Sequence, residues 1–127
     1  MTRRLLPWVA ALALILMVVS LSAQDKTVTL DGYIIDNACA SSHAADATFG
    51  TMVQAHKTSC AMMDACEKSG YSVYANKKLY KLDDAGNTSA VEILKNTKST
   101  KGLHVKVEGT VDGDTIKVTK ITEVTAE

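Results

Sequence analysis

A chain of 127 residues with 14 Lys+Arg against 14 Asp+Glu has room for one domain and offers no clustered cations with which to grip a nucleic-acid backbone. Its 46% hydrophobic content excludes a disordered polymer, and its length excludes a large two-domain enzyme. The charge balance is not uniform along the chain, because the first residues form a separate functional unit.

Residues 1–23 have the pattern of a secretory signal peptide. Arg3 and Arg4 form a positive start, Leu5 to Val19 is almost unbroken apolar sequence, and Ser20-Leu21-Ser22-Ala23 supplies small residues for cleavage. An uncleaved anchor is the alternative, since the apolar run approaches spanning length. No cysteine follows the run to carry a lipid, and no second apolar stretch exists. Cleavage after Ala23 leaves a 24–127 domain with 12 cationic and 14 acidic side chains, expected to be secreted or periplasmic and free of the membrane. That compartment is oxidising, so cysteines there are disulfide or metal candidates.

Val28, Leu30, Gly32 and Ile34 alternate with Thr29, Asp31, Tyr33 and Ile35, the period of a strand with one buried face. Gly32 inside it predicts a bulge or tight bend, and Asp36-Asn37 ends it. Residues 38–70 form a distinct helical insertion holding all three cysteines and two of the three histidines. No glycine or proline interrupts Met52 to Lys68, and Met52, Val53, His56, Cys60 and Met63 fall at helical spacing, so one helix is expected there, stopped by Ser69-Gly70. Two strands follow, Tyr71-Ser72-Val73-Tyr74 and Leu79-Tyr80-Lys81-Leu82, joined by Asn76-Lys77-Lys78. Asp83 to Asn87 is expected to be a turn. A short helix over Thr88 to Asn96 is expected to start on a capping box of Ser89 and Glu92. A final hairpin turns at Asp112-Gly113, with Leu103, Val105 and Val107 in one arm and Ile116 and Val118 in the other. Ile121 falls out of phase, which predicts a bulge near Lys120, and Gly109 lacks a side chain where the strand would bend.

The order strand, helical insertion, strand, strand, helix, strand, strand predicts a mainly β (α+β) fold: a five-stranded OB-like Greek-key barrel with a helical, cysteine-containing insertion after strand 1 and a short helix between strands 3 and 4. An open sheet with both helices on one face is the rival. Three stretches, Asp31-Gly-Tyr-Ile-Ile-Asp-Asn-Ala-Cys39, His56-Lys-Thr-Ser-Cys60-Ala-Met-Met-Asp-Ala-Cys66-Glu-Lys-Ser-Gly-Tyr71 and Gly113-Asp-Thr-Ile-Lys-Val118, give the chain a resemblance to small secreted bacterial domains with an OB-like fold. The resemblance spans about Thr29 to Val124. It implies that fold and export, and carries no catalytic assignment.

Cys39 and His43 are four residues apart, as are His56 and Cys60, which on a helix means one face. With Cys66 they form a candidate metal set of Cys39, His43, His56, Cys60 and Cys66, suited to Zn when cysteine and histidine act alone and to Cu when Met62 or Met63 joins. Ligation of that kind contributes on the order of 10 kcal/mol to folding. The competing reading, favoured by the oxidising compartment, is a disulfide among Cys39, Cys60 and Cys66 with one thiol left over. Six residues of continuous helix place Cys60 and Cys66 about 9 Å apart along the axis and about 240° apart around it. Cys39 is then the better partner for either, and loop closure points the same way, roughly 3.6 kcal/mol for Cys39–Cys66 against roughly 2.4 for Cys60–Cys66.

Taken singly, His56 reads as a packed or hydrogen-bonded residue and not a ligand, the methionines as core filler, His104 as a solvated outer-face residue, and Lys98 with Lys101 as a solvated linker. Neither Cys60 nor Cys66, with His56 as base, sits in a nucleophile signature, so no catalytic residue is assigned. The expected function is a non-catalytic secreted binding or structural domain for a small ligand, glycan or protein. The alternative is a periplasmic Zn- or Cu-binding protein. Tyr71, Tyr74 and Tyr80 are the aromatics available for exposure, too few for nucleic acid, and packing at strand ends is the favoured reading of them.

Overall fold

Period-two alternation becomes five strands in the computed structural model, which describes residues 26–125; the expected export segment, residues 1–23, lies outside the described residues. Strand β1 (Thr27–Asp36) pairs with β2 (Tyr71–Ala75) through its second half and with β4 (His104–Asp112) through its first. β2 pairs with β3 (Lys78–Leu82), and β4 pairs with β5 (Thr115–Glu123), all antiparallel. One short parallel contact, Lys81 with Thr115 and Leu82 with Ile116, joins β3 to β5 and closes the sheet into a mixed barrel of order β1-β2-β3-β5-β4. The fold is therefore a closed β-barrel with helices, and the open-sheet alternative is set aside.

Closure needs strong coiling, and two glycines permit it. A Cβ on Gly32 would lie 2.1 Å from the Tyr74 carbonyl oxygen, and one on Gly109 would lie 2.1 Å from that of Lys117. Opposite Gly109 the register skips Thr119, since Glu108 pairs with Lys120 and Gly109 with Val118. This is the bulge that the phase of Ile121 predicts. The β2–β3 turn is only Asn76-Lys77, with φ of 53° and 62°, a type I′ geometry that matches strand twist.

The inward-facing residues form one cluster that includes Leu30, Ile34, Val73, Val105, Val107 and Ile116. Helix α5 (Asp84–Asn96) packs Ala90 and Leu94 into the same cluster. It begins earlier than the Ser89/Glu92 capping box predicts. Asp83 is the cap, its carboxylate accepting from the Gly86 N–H at 3.0 Å, so the expected turn over Asp83 to Asn87 is the first turn of the helix. A stronger cap upstream wins over a weaker one downstream. Tyr71 takes the packing role at a strand end and not an exposed one. It is fully buried, with its hydroxyl donating to the Ala61 carbonyl at 2.7 Å, and Tyr74 and Tyr80 are half-buried, so the three do not form an exposed aromatic set.

Residues 37–70 cross from β1 to β2 as four short helices: α1 (Asn37–His43), α2 (Phe49–Ala55), α3 (Thr58–Ala61) and α4 (Asp64–Ser69). The single helix expected over Met52 to Lys68 is thus broken twice. His56 and Lys57 are extended because long-range bonds hold them: Gly102 N–H donates to the His56 carbonyl at 2.9 Å, and Lys57 bridges to Lys101. Met63 is extended as well and opens α4. No breaker residue is needed where tertiary hydrogen bonds replace helical ones. Gly70 ends α4 at φ 78°, as its type predicts. A second apolar cluster, Ile35, Ala40, Phe49 and Val53, fastens α1 and α2 to the barrel wall, with Phe49 edge-on to Tyr74 at 5.2 Å.

Candidate metal centre

The last residue of β1 organises the site. Asp36 is fully buried, and as the N-cap of α1 it accepts from the Cys39 backbone N–H at 2.9 Å through Oδ2. Its other oxygen, Oδ1, lies 2.8 Å from His56 Nε2, at the break between α2 and α3. Buried carboxylates persist only when hydrogen-bonded or paired, and these partners meet that demand.

Two thiols converge on the same carboxylate. Cys39 projects from the first turn of α1 and Cys66 from α4, and one ligand atom each from Asp36, Cys39 and Cys66 lie within 4.8 Å of one another. The α1–α4 packing that brings the thiols together is tied by Asn37, whose N–H donates to the Gly70 carbonyl at 2.9 Å and whose amide donates to the Ser69 carbonyl at 2.9 Å. Ser69 Oγ in turn accepts from the Ala38 N–H at 3.1 Å.

Electrostatics follow from this packing. Burial pushes the Asp36 carboxyl up, but the Cys39 N–H, His56 and the two thiols donate to it and together hold it below its ordinary value. Burial and then the Asp36 charge push the Cys39 thiol up to about 11. The same two causes, in the same order, raise Cys66. The site at neutral pH is one carboxylate facing two protonated thiols. Such thiols are poor nucleophiles but can exchange their protons for a cation.

All three cysteines are free and half-buried, so the expected disulfide among Cys39, Cys60 and Cys66 is not formed. The helix geometry used to discriminate among partners also fails, because the chain breaks at Met62-Met63, between Cys60 and Cys66. Of the five residues expected to bind metal, Cys39 and Cys66 share the site. His56 reaches it through Asp36. Cys60 stands outside the three-ligand group, close enough for its charge to raise Cys66 slightly. His43 is not brought to the site. It is exposed and faces Asp46 at 3.0 Å, at the opposite end of α1.

Asp36 is the residue that sequence reasoning missed. Its signal was an N-cap aspartate three residues before a cysteine, which places carboxylate and thiol at one helix start. Met62 packs against the barrel cluster and Met52 against the second cluster, whereas Met63 is exposed. His104, expected to be solvated, stacks on Tyr33 with centroids 4.9 Å apart and bonds Asp31, far along β1 from the thiols. Comparison of the chain with protein families, with curated proteins and with solved structures found no match in any of the three.

Proposed function

We propose that this is an exported, non-catalytic binding domain whose ligand is a divalent metal, held by Asp36, Cys39 and Cys66. The observation that carries the reading is the convergence of three ligand atoms, from a strand end and two separate helices, within 4.8 Å of one another. The donor set selects the ion. Two thiolates with a carboxylate suit Zn(II), a borderline cation that accepts both sulfur and oxygen, better than Cu(I), which prefers sulfur alone. His56 then acts from outside the ligand set, fixing the carboxylate through its second oxygen. Three protein ligands leave one of four tetrahedral positions for Cys60, water or a group on a partner.

The barrel is read as OB-like, supported by the order β1-β2-β3-β5-β4 and the parallel β3–β5 closure. Export rests on the pattern of residues 1–23. Among the described residues no helix is long and apolar enough to cross a membrane.

The test is metal titration of the reduced mature chain, with Co(II) as a spectroscopic stand-in for Zn(II). One equivalent with thiolate-to-cobalt absorption is expected. Affinity should weaken as pH falls, because binding must expel the thiol protons. Cys39→Ser and Cys66→Ser should each remove the absorption. His56→Gln should weaken binding by about 10- to 100-fold. His43→Ala should change nothing. A binding curve indifferent to Cys39→Ser, in a variant shown by circular dichroism to be folded, rejects the site.

A further inference from the structure

The face of α1 turned away from the thiols borders a cleft of about 520 Å³, within the range of small-molecule sites. Asn37, Ala40, Ser41 and Ala44 recur at helical spacing along that face, and Leu79 and Lys81 of β3 form the opposite wall. Neither Cys39 nor Cys66 lines it, so the cleft is a different place from the metal centre.

The walls restrict what can bind. Ala38, Ala40, Ala44 and Leu79 present hydrocarbon. The polar groups between them already have partners. Ser41 O–H donates to the Ala38 carbonyl, Ser69 O–H to that of Cys66, Ser72 O–H to Asn37 Oδ1, and the Asn37 amide to the Ser69 carbonyl. A glycan needs many unengaged donors and acceptors or an aromatic platform, and no aromatic side chain lines this cleft. The cationic donors are the rim ammonium groups of Lys78 and Lys81. Lys78 lies 3.8 Å from Asp114, whose carboxylate shares the rim and offsets that one ammonium, while Lys81 is exposed and has no carboxylate within ion-pair distance among the described residues. An apolar slot with one uncompensated cation at its edge complements an apolar body carrying one negative charge.

We propose that this cleft binds a small monocarboxylic acid, its hydrocarbon body lying between α1 and β3 and its carboxylate on Lys81. The metal reading is not required, and the test uses reduced, metal-free protein so that failure of one proposal leaves the other standing. Octanoate, octanamide and maltotriose are titrated into the ¹⁵N-labelled mature chain. Octanoate should shift the amides of Ala38 to Ala44, Leu79 and Lys81, and octanamide should bind about two- to fivefold more weakly, as one exposed charge pair allows. Lys81→Gln should erase that difference without weakening octanamide. Ala44→Leu, on an exposed helix end where the fold tolerates it, should narrow the slot and weaken both. Equal affinity for acid and amide, an octanoate affinity unchanged by Ala44→Leu, maltotriose shifts in place of octanoate shifts, or no cleft shifts with any of the three overturns the proposal.

Discussion

The barrel and the segment from Asn37 to Gly70 are built on opposite terms. Each strand of the barrel is hydrogen-bonded to neighbours on both sides, and its interior is a single apolar cluster. The crossing segment is four helices of four to seven residues, too short to be stable alone, and α4 buries none of its residues. What holds the segment is a small apolar cluster under α1 and α2, Ala61 of α3 in the barrel's own cluster, the bonds of His56 and Lys57 to the 101–102 stretch, and a polar knot around Asp36. The candidate metal centre sits in that knot. Chemistry-bearing side chains therefore lie where individual side-chain and loop hydrogen bonds, and not a strand ladder, hold the structure, and the barrel supplies the base.

This contrast can be broken from either side. The largest effect is expected in the barrel. Ile116 is fully buried and pairs both β3 and β4, so Ile116→Ala should lower stability by about 2–5 kcal/mol in urea denaturation. Because the segment depends on the barrel, both should unfold in one transition. A separate later transition for the helices contradicts the contrast.

A smaller and more local effect is expected from Asp36→Ala. It removes the α1 cap and strands the groups that donate to the carboxylate, for about 1–3 kcal/mol. Amide exchange should accelerate in α1, α3 and α4 while β4 and β5 stay protected. Uniform acceleration would show that the barrel also depends on the knot. The pH dependence has a definite sign. The folded-state pKa of Asp36 is lowered, so its contribution is complete above the ordinary carboxylate range and is lost as pH falls through the folded value. Asp36→Ala should flatten that acid limb.

The smallest effect sharpens the boundary between the two regions. Tyr71 begins β2, and its hydroxyl reaches Ala61 in α3. Tyr71→Phe should cost about 1 kcal/mol. Burial first, then the negative charges of Glu67, Asp36 and Cys66, push the Tyr71 phenol up to about 12. A raised folded-state value means stability is intact below the unfolded value near 10 and is lost as pH rises toward 12. The Phe variant should lack this alkaline loss, which parallel denaturation curves across that window would reveal.

Much of the barrel was legible locally. The alternation around Leu30 and Ile34, the Asp112-Gly113 turn, the phase slip at Ile121 and the permissive Gly32 are short-range signals that side-chain direction and backbone sterics make unambiguous. The crossing segment was not legible in that way. Periodicity from Met52 to Lys68 satisfied every local rule for one helix, and contacts far away in sequence overrode it. The His56 bond to Asp36 spans 20 residues, and Gly102 reaches back to the His56 carbonyl. Residue types and four-residue spacing marked Cys39, Cys60, Cys66, His43 and His56 as candidate ligands. Only the tertiary structure could sort them, bringing Cys39 and Cys66 onto Asp36 and leaving His43 at the surface, because a ligand set is defined by distances between segments and no local pattern encodes those.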